Sequence, residues 1–117
     1  HIPDKKTVFE MTRSYYEELV EAGVRIFEYE PGFIHAKNFV VDDVWATVGT
    51  VNLDYRSMFL HFENGVLLYG TPSVADIRDD FLETQEKSLP VTVEDCRSIS
   101  MIHRTFRDLL RLFAPLL

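Results

Sequence analysis

Residues 35 to 54 set polar side chains into a stretch that otherwise has the make-up of a buried strand. His35, Lys37, Asp42 and Asn52 stand there among Phe39, Val40, Val41, Val44, Trp45 and Val48. Polar groups at such positions cost free energy unless they are paired or used. The density of β-formers from Phe33 to Val41 predicts a strand, with His35 and Lys37 on one face, two steps of about 3.3 Å apart. Asp42-Asp43 predicts a tight turn and Val44 to Val48 the returning strand, with Gly49 relieving crowding where that strand ends. Asn52 emerges just beyond. An imidazole, an ammonium and a carboxamide then converge on a pocket suited to an anionic, oxygen-rich group, above all a phosphate.

The chemistry follows from the residue types. A neutral imidazole is a competent nucleophile toward phosphorus, and a covalent intermediate splits one hard displacement into two easier ones. Lys37 and Asn52 are placed to hold the nonbridging oxygens and offset charge in the transition state. Glu63, set among apolar residues, is the expected partner fixing the far nitrogen of His35. Thr50 either donates a hydroxyl to phosphate or caps the turn. Protonating the leaving alkoxide needs a second acid. Each residue also has a plainer reading: a satisfied core histidine, a snorkelling lysine, a turn aspartate. Asp42 is read as structural or orienting, and Asp54 with Arg56 as a pair shaping the pocket loop. His61 is read as structural, at the pocket rim. His103 is read as part of a solvated face, and Trp45 and Phe39 as core.

The spacing His35-x-Lys37-x4-Asp42-x6-Gly49-Thr50-x-Asn52 resembles the HKD motif of the phospholipase D superfamily. The continuation Asn52-Leu53-Asp54-Tyr55-Arg56-Ser57, then Phe62-Glu63, resembles the second HKD half of bacterial cardiolipin synthases. Ala22 to Tyr29 and Arg111 to Leu117 resemble the family's preceding strand and closing residues. The resemblance implies a phospholipase D-like α/β half-domain, a mixed sheet packed by helices. It implies catalytic roles for His35, Lys37, Asp42, Asn52 and Glu63, with Lys37, Asn52 and Thr50 on the substrate phosphate. It also implies transfer of a phosphatidyl group between phosphatidylglycerol molecules at the cytoplasmic face of the cell membrane, the full-length protein being membrane-anchored. Single-chain members carry two HKD motifs, and this chain has one. A second HKD domain, from a missing N-terminal part or another subunit, is therefore an expected partner, beside an anionic phospholipid and a membrane surface. The alternatives are a dimeric phosphodiesterase acting on lipid or nucleic acid, and a silent interaction module.

Along the chain the reading is one domain, likened to an excised C-terminal piece because it opens on His1 without a leader segment. A first helix is expected from Thr7 to Ala22, with Gly23 as its stop. A strand follows over 24–29, then the two motif strands, a polar loop from Asn52 to Ser57 and a strand from Phe62 to Tyr69. A second helix is expected from Pro72 to Lys87. Pro90 interrupts, and a third helix is expected from Val93 to Phe113, its stripe of Ile99, Ile102, Phe106, Leu109, Leu110 and Phe113 packing on the sheet or, alternatively, meeting a membrane or a partner domain.

Composition closes off other classes. The net charge of −7 opposes general nucleic-acid binding, which wants a basic face. The charge is uneven: residues 97 to 117 hold four arginines against Asp108, a local +3 that suits a membrane-facing segment. No apolar run approaches the roughly 20 residues of a bilayer span. Cys96 is the lone cysteine, and the four histidines lack ligand spacing, so no metal or other cofactor is expected.

Overall fold

A computed structural model describes residues 6 to 114, the side chain of Lys6 excepted. The expected closing residues, Pro115 to Leu117, lie outside the described residues. The chain is α/β, with two antiparallel sheets packed by helices. It divides into two compact units, residues 1–33 with 88–117, and residues 34–87.

In the discontinuous unit, the expected first helix is two: α1 (Lys6–Ser14) and α2 (Tyr16–Glu21). The break at Tyr15 has a local cause. Thr12 Oγ1 donates to the Val8 carbonyl at 3.0 Å and Ser14 Oγ to that of Met11 at 2.6 Å, back-bonds that bend helices. Tyr15 N–H then bonds only three residues back, to Thr12, at 3.1 Å. Gly23 ends α2 as its sequence position predicts. With φ at +90° it lets Gly23 N–H reach Val20 O at 3.0 Å and Val24 N–H reach Leu19 O at 2.9 Å, a Schellman closure. Strand β1 (Phe27–Tyr29) pairs antiparallel with a later strand, Ser88–Pro90, placing Phe27 opposite Pro90. The expected 24–29 strand is thus shorter, and Pro90 ends a strand as well as interrupting. Proline is tolerated there because each strand of the pair is an edge.

The third helix is also two, α4 (Val93–Arg97) and α5 (Met101–Arg111). Thr92 and Asp95 form a capping box at the start of α4, and Ser100 caps α5. α5 packs on α1, not on a sheet. Its apolar residues Ile102, Phe106 and Leu109 stay exposed, whereas Arg107 is only 8% exposed. The basic segment is paired within its own unit. Arg107 meets Glu10 at 2.6 Å, Arg111 meets Glu18 at 2.7 Å, Arg104 meets Glu17 at 2.7 Å, and Arg97 meets Glu17 and Glu21 at 3.0 and 2.6 Å.

The continuous unit holds the motif. Strands β2 (Asn38–Val41), β3 (Trp45–Gly49) and β4 (Gly65–Tyr69) form an antiparallel meander with β3 central. Helix α3 (Pro72–Glu86) packs against all three, and β5 is the Ser88–Pro90 strand already described. Alternation puts Val40, Ala46 and Leu68 on one face, where Ala46 is buried. Val74 of α3 is buried as well. The opposite face carries Phe39, Trp45, Leu67 and Tyr69. Trp45 is exposed and lies 4.2 Å, ring to ring, from Tyr69, so the expectation of a core tryptophan fails.

The Asp42-Asp43 turn forms as read. Both residues have positive φ, 52° and 55°, the primed-turn conformation that suits strand twist, and Val44 N–H closes it on Val41 O at 3.1 Å. Arg78 of α3 steadies Asp43 at 3.3 Å.

Candidate active site

The strand expected from Phe33 begins only at Asn38, which corrects the placement of His35 and Lys37. Among the described residues β2 is an edge paired with β3 alone, and β3 ends at Gly49. Gly49 N–H still donates to Lys37 O at 3.3 Å, but residues upstream have no ladder to join. His35 and Lys37 therefore sit on irregular backbone. Lys37 folds back, its Nζ donating to the His35 carbonyl at 2.8 Å, so its head lies over the histidine's backbone. His35 is exposed and Lys37 half-buried.

The other residues come from the long connection between β3 and β4, pinned at its base. Thr50 N–H donates to Asn64 O at 2.9 Å, and Asn64 N–H returns to Thr50 Oγ1 at 3.0 Å. The tight approach requires glycine at 49: a Cβ there would lie 2.5 Å from Asn64 O and 2.8 Å from Gly65 Cα. Thr50 Oγ1 also donates to the Glu63 carboxylate. The Thr50 hydroxyl first, then that of Ser57, hold Glu63 below the usual carboxylate range, and the charges of His61 and Lys37 add to this. Thr50 thus caps the loop base, one of the two roles its position allowed. Glu63 joins Thr50, Ser57 and the field of Lys37; the expected bond to His35 is not among the contacts described for it.

Within the loop, Asp54 accepts from Ser57 N–H at 2.7 Å instead of pairing with Arg56. Residues Arg56–Leu60 make one π turn, closed by His61 N–H on Arg56 O at 2.9 Å. Arg56 Nε donates to His61 Nε2. π turns of this kind gather at functional sites. Asn52 is exposed at the loop's start. Asp42 lies at the other end of β2, beyond four strand residues or roughly 13 Å. The arrangement gathers Lys37, Thr50, Ser57, His61 and Glu63 near one end of the sheet and leaves Asp42 at the other. Sequence reasoning missed Ser57; the signal available was a small polar residue enclosed by Tyr55, Met58 and Phe59. Among the described residues no group of three or more His, Cys, Asp and Glu side chains is placed to hold a metal ion. No helix among them is long and apolar enough to cross a membrane.

Comparison with known proteins bears on this geometry. A family model described as cardiolipin synthase, PLD-like domain, matches residues 1–85. A protein named cardiolipin synthase from Geobacillus sp. (strain WCH70) is 44% identical over 115 residues, covering 98% of this chain and 23% of the relative. Cardiolipin synthase 2 of Bacillus anthracis is 43% identical over 115 residues, covering 98% of this chain and 22% of the relative. An uncharacterized protein of Streptococcus mutans serotype c is 44% identical over 116 residues, 99% of this chain and 25% of its own length. The chain spans about a quarter of the length of the curated relatives it matches. No solved structure matches it. With the motif, the α/β architecture and these matches together, the chain belongs to the cardiolipin synthase, phospholipase D-like domain family.

Proposed function

We propose that this chain supplies one half of a phosphatidyl-transfer site, in which His35 forms or resolves a phosphohistidine. His35 nitrogen attacks the phosphorus of phosphatidylglycerol, a P–N bond forms, and the P–O bond to the glycerol headgroup breaks. Glycerol leaves with a proton from an acid. The primary hydroxyl of a second phosphatidylglycerol then attacks the phosphohistidine, its proton passing to a base, and cardiolipin is released with His35 regenerated. The acid and base are one group, the histidine of a second HKD half in the rest of the protein or in another subunit. Lys37 and Asn52 stabilise the nonbridging oxygens. The membrane surface supplies both lipids.

The observation that carries this reading is the family match to residues 1–85, which takes in the whole motif from His35 to Glu63. The bond from Lys37 Nζ to the His35 carbonyl and the Thr50–Glu63 contact at the base of the loop support it. The test is His35→Ala in the full-length protein, given phosphatidylglycerol in vesicles, with products separated by mass. Cardiolipin formation should vanish while the circular dichroism spectrum stays that of the wild type. Retained lipid transfer would end the reading, and phosphatidic acid in place of cardiolipin from the wild type would replace transfer by hydrolysis.

A further inference from the structure

We propose that Thr50 and Asp54 are positioning residues of the site: they pin the backbone on either side of Asn52 and so fix the carboxamide that meets the substrate phosphate. The inference rests on the phosphatidyl-transfer reading for its activity readout.

Asn52 does not hold itself. It is exposed, and among the described residues it has no hydrogen-bond partner. Apolar burial does not fix its loop either: Leu53, Tyr55, Met58, Phe59, Leu60 and Phe62 are all more than half exposed. The holding is done by polar bonds on both sides. Ahead of Asn52, Thr50 is bound through main chain and side chain together. Its N–H donates to Asn64 O at 2.9 Å, and its hydroxyl accepts from Asn64 N–H at 3.0 Å while donating to the Glu63 carboxylate. That hydroxyl's one proton already has acceptors in Glu63 and, at 3.3 Å, in Asn64 O, which makes Thr50 an anchor and not a phosphate donor. Beyond Asn52, Asp54 caps the π turn. Its Oδ1 accepts from Ser57 N–H at 2.7 Å and its carbonyl from Met58 N–H at 3.1 Å, and Ser57 is 9% exposed, so this end is seated. Each pin uses a carboxylate acceptor, which strengthens the bond over a neutral pair. Only positions 51 to 53 lie between the two pins. A carboxamide that must meet a nonbridging oxygen loses rate when the backbone beneath it wanders.

In the full-length protein, Thr50→Val and Asp54→Ala should each lower kcat for cardiolipin formation about ten-fold, the scale of one lost hydrogen bond to a charged group. Thr50→Ser keeps the hydroxyl and Asp54→Asn keeps an acceptor oxygen, so both should recover most of the rate. The comparison that separates positioning from stability is made in Asn52→Ala. With the carboxamide gone, adding Thr50→Val or Asp54→Ala should cost less than about two-fold further, because the pins act through it. A change that only weakened the fold, or a threonine that itself held the phosphate, would lose the same factor in both backgrounds, and that result overturns the proposal. A wild-type rate in either single variant overturns it too. Should one of the two variants fail to fold, the other is read against Asn52→Ala in the same way and decides alone. Nitrogen-15 relaxation at Asn52 in this chain needs no substrate. Its backbone order parameter should fall in Thr50→Val and in Asp54→Ala, and an unchanged value refutes the pins whatever the activity shows. A wild-type protein that forms no cardiolipin refutes the transfer reading alone, leaving the relaxation measurement to decide the pins.

Discussion

Gly49 and Gly65 face each other across the β3–β4 ladder, yet they should respond oppositely to alanine. A Cβ on Gly49 would lie 2.5 Å from Asn64 O and 2.8 Å from Gly65 Cα, whereas one on Gly65 meets Val48 O at 3.4 Å and Gly49 Cα at 3.6 Å. Relieving the first clash moves the Asn64 carbonyl by about 0.9 Å to reach 3.4 Å, an ordinary contact. That carbonyl is backbone, and it accepts the 2.9 Å bond from Thr50 N–H. Overpacking costs about 1–3 kcal/mol and the lost hydrogen bond about 1 kcal/mol more. Gly49→Ala should therefore destabilise by about 3 kcal/mol, lowering the Tm by roughly 10–15 °C for a domain of this size. Gly65→Ala adds only van der Waals contact and removes a flexible residue from a strand, so its Tm should stay within about 3 °C of the wild type. Thermal unfolding followed at 222 nm measures both. Equal shifts in the two variants would refute the close approach at the base of the loop.

The remaining expectations concern the turn, a buried ion pair and a phenol. Asp42→Gly should keep the wild-type Tm within a few degrees and retain activity in the full-length protein, since glycine accepts positive φ freely; a hundred-fold activity loss would put the carboxylate in the chemistry. Arg107→Ala strands Glu10 beside a buried position and should cost about 2 kcal/mol in urea unfolding, while Arg97→Ala, on an exposed pair, should leave the midpoint unchanged. Tyr16 is pushed up to about 12, first by burial and then by the charge of Glu28. Its folded value lies above the ordinary 10, so the unfolded chain sheds that proton first, and the stability it contributes is complete below pH 10 and lost as pH rises toward 12. Absorbance titration at 295 nm should show a tyrosine ionising last, and the Tyr16→Phe variant should lack that step.

Turns and helix ends are more legible in the sequence than the extent of the strands. The Asp-Asp turn, Gly23 and the start of α3 at Pro72 are set by local backbone chemistry within a few residues, and they appear where expected. The extent of β2 is not local: it is limited by where β3 ends, so Phe33 to Lys37 stays out of the ladder despite good strand formers. β5 was hidden because three residues ending in proline show no alternation, and only their pairing with β1 makes them a strand. Each split helix reads as a single stripe in the sequence, because the carbonyls diverted by Thr12, Ser14 and Ser98 leave no trace in apolar spacing. At the site, motif spacing predicts His35, Lys37, Asp42, Thr50 and Asn52, but the partners of Glu63 depend on how a long loop closes, which no spacing encodes.

The arginine–glutamate pairs join residues as far apart as Glu10 and Arg107, Glu17 and Arg104, and Glu18 and Arg111. The unit they staple is made of both flanks of the chain, while the motif unit runs uninterrupted from 34 to 87. During synthesis, then, the motif unit has all its partners available as soon as residue 87 emerges, and its meander and helix are low in contact order. The flanking unit must wait for α5. Until then Glu10, Glu17 and Glu18 line helices without their guanidinium partners, a window in which the nascent chain is more acidic on that side than the finished one. The half that holds the histidine is thus built first, and its acidic flank is neutralised last.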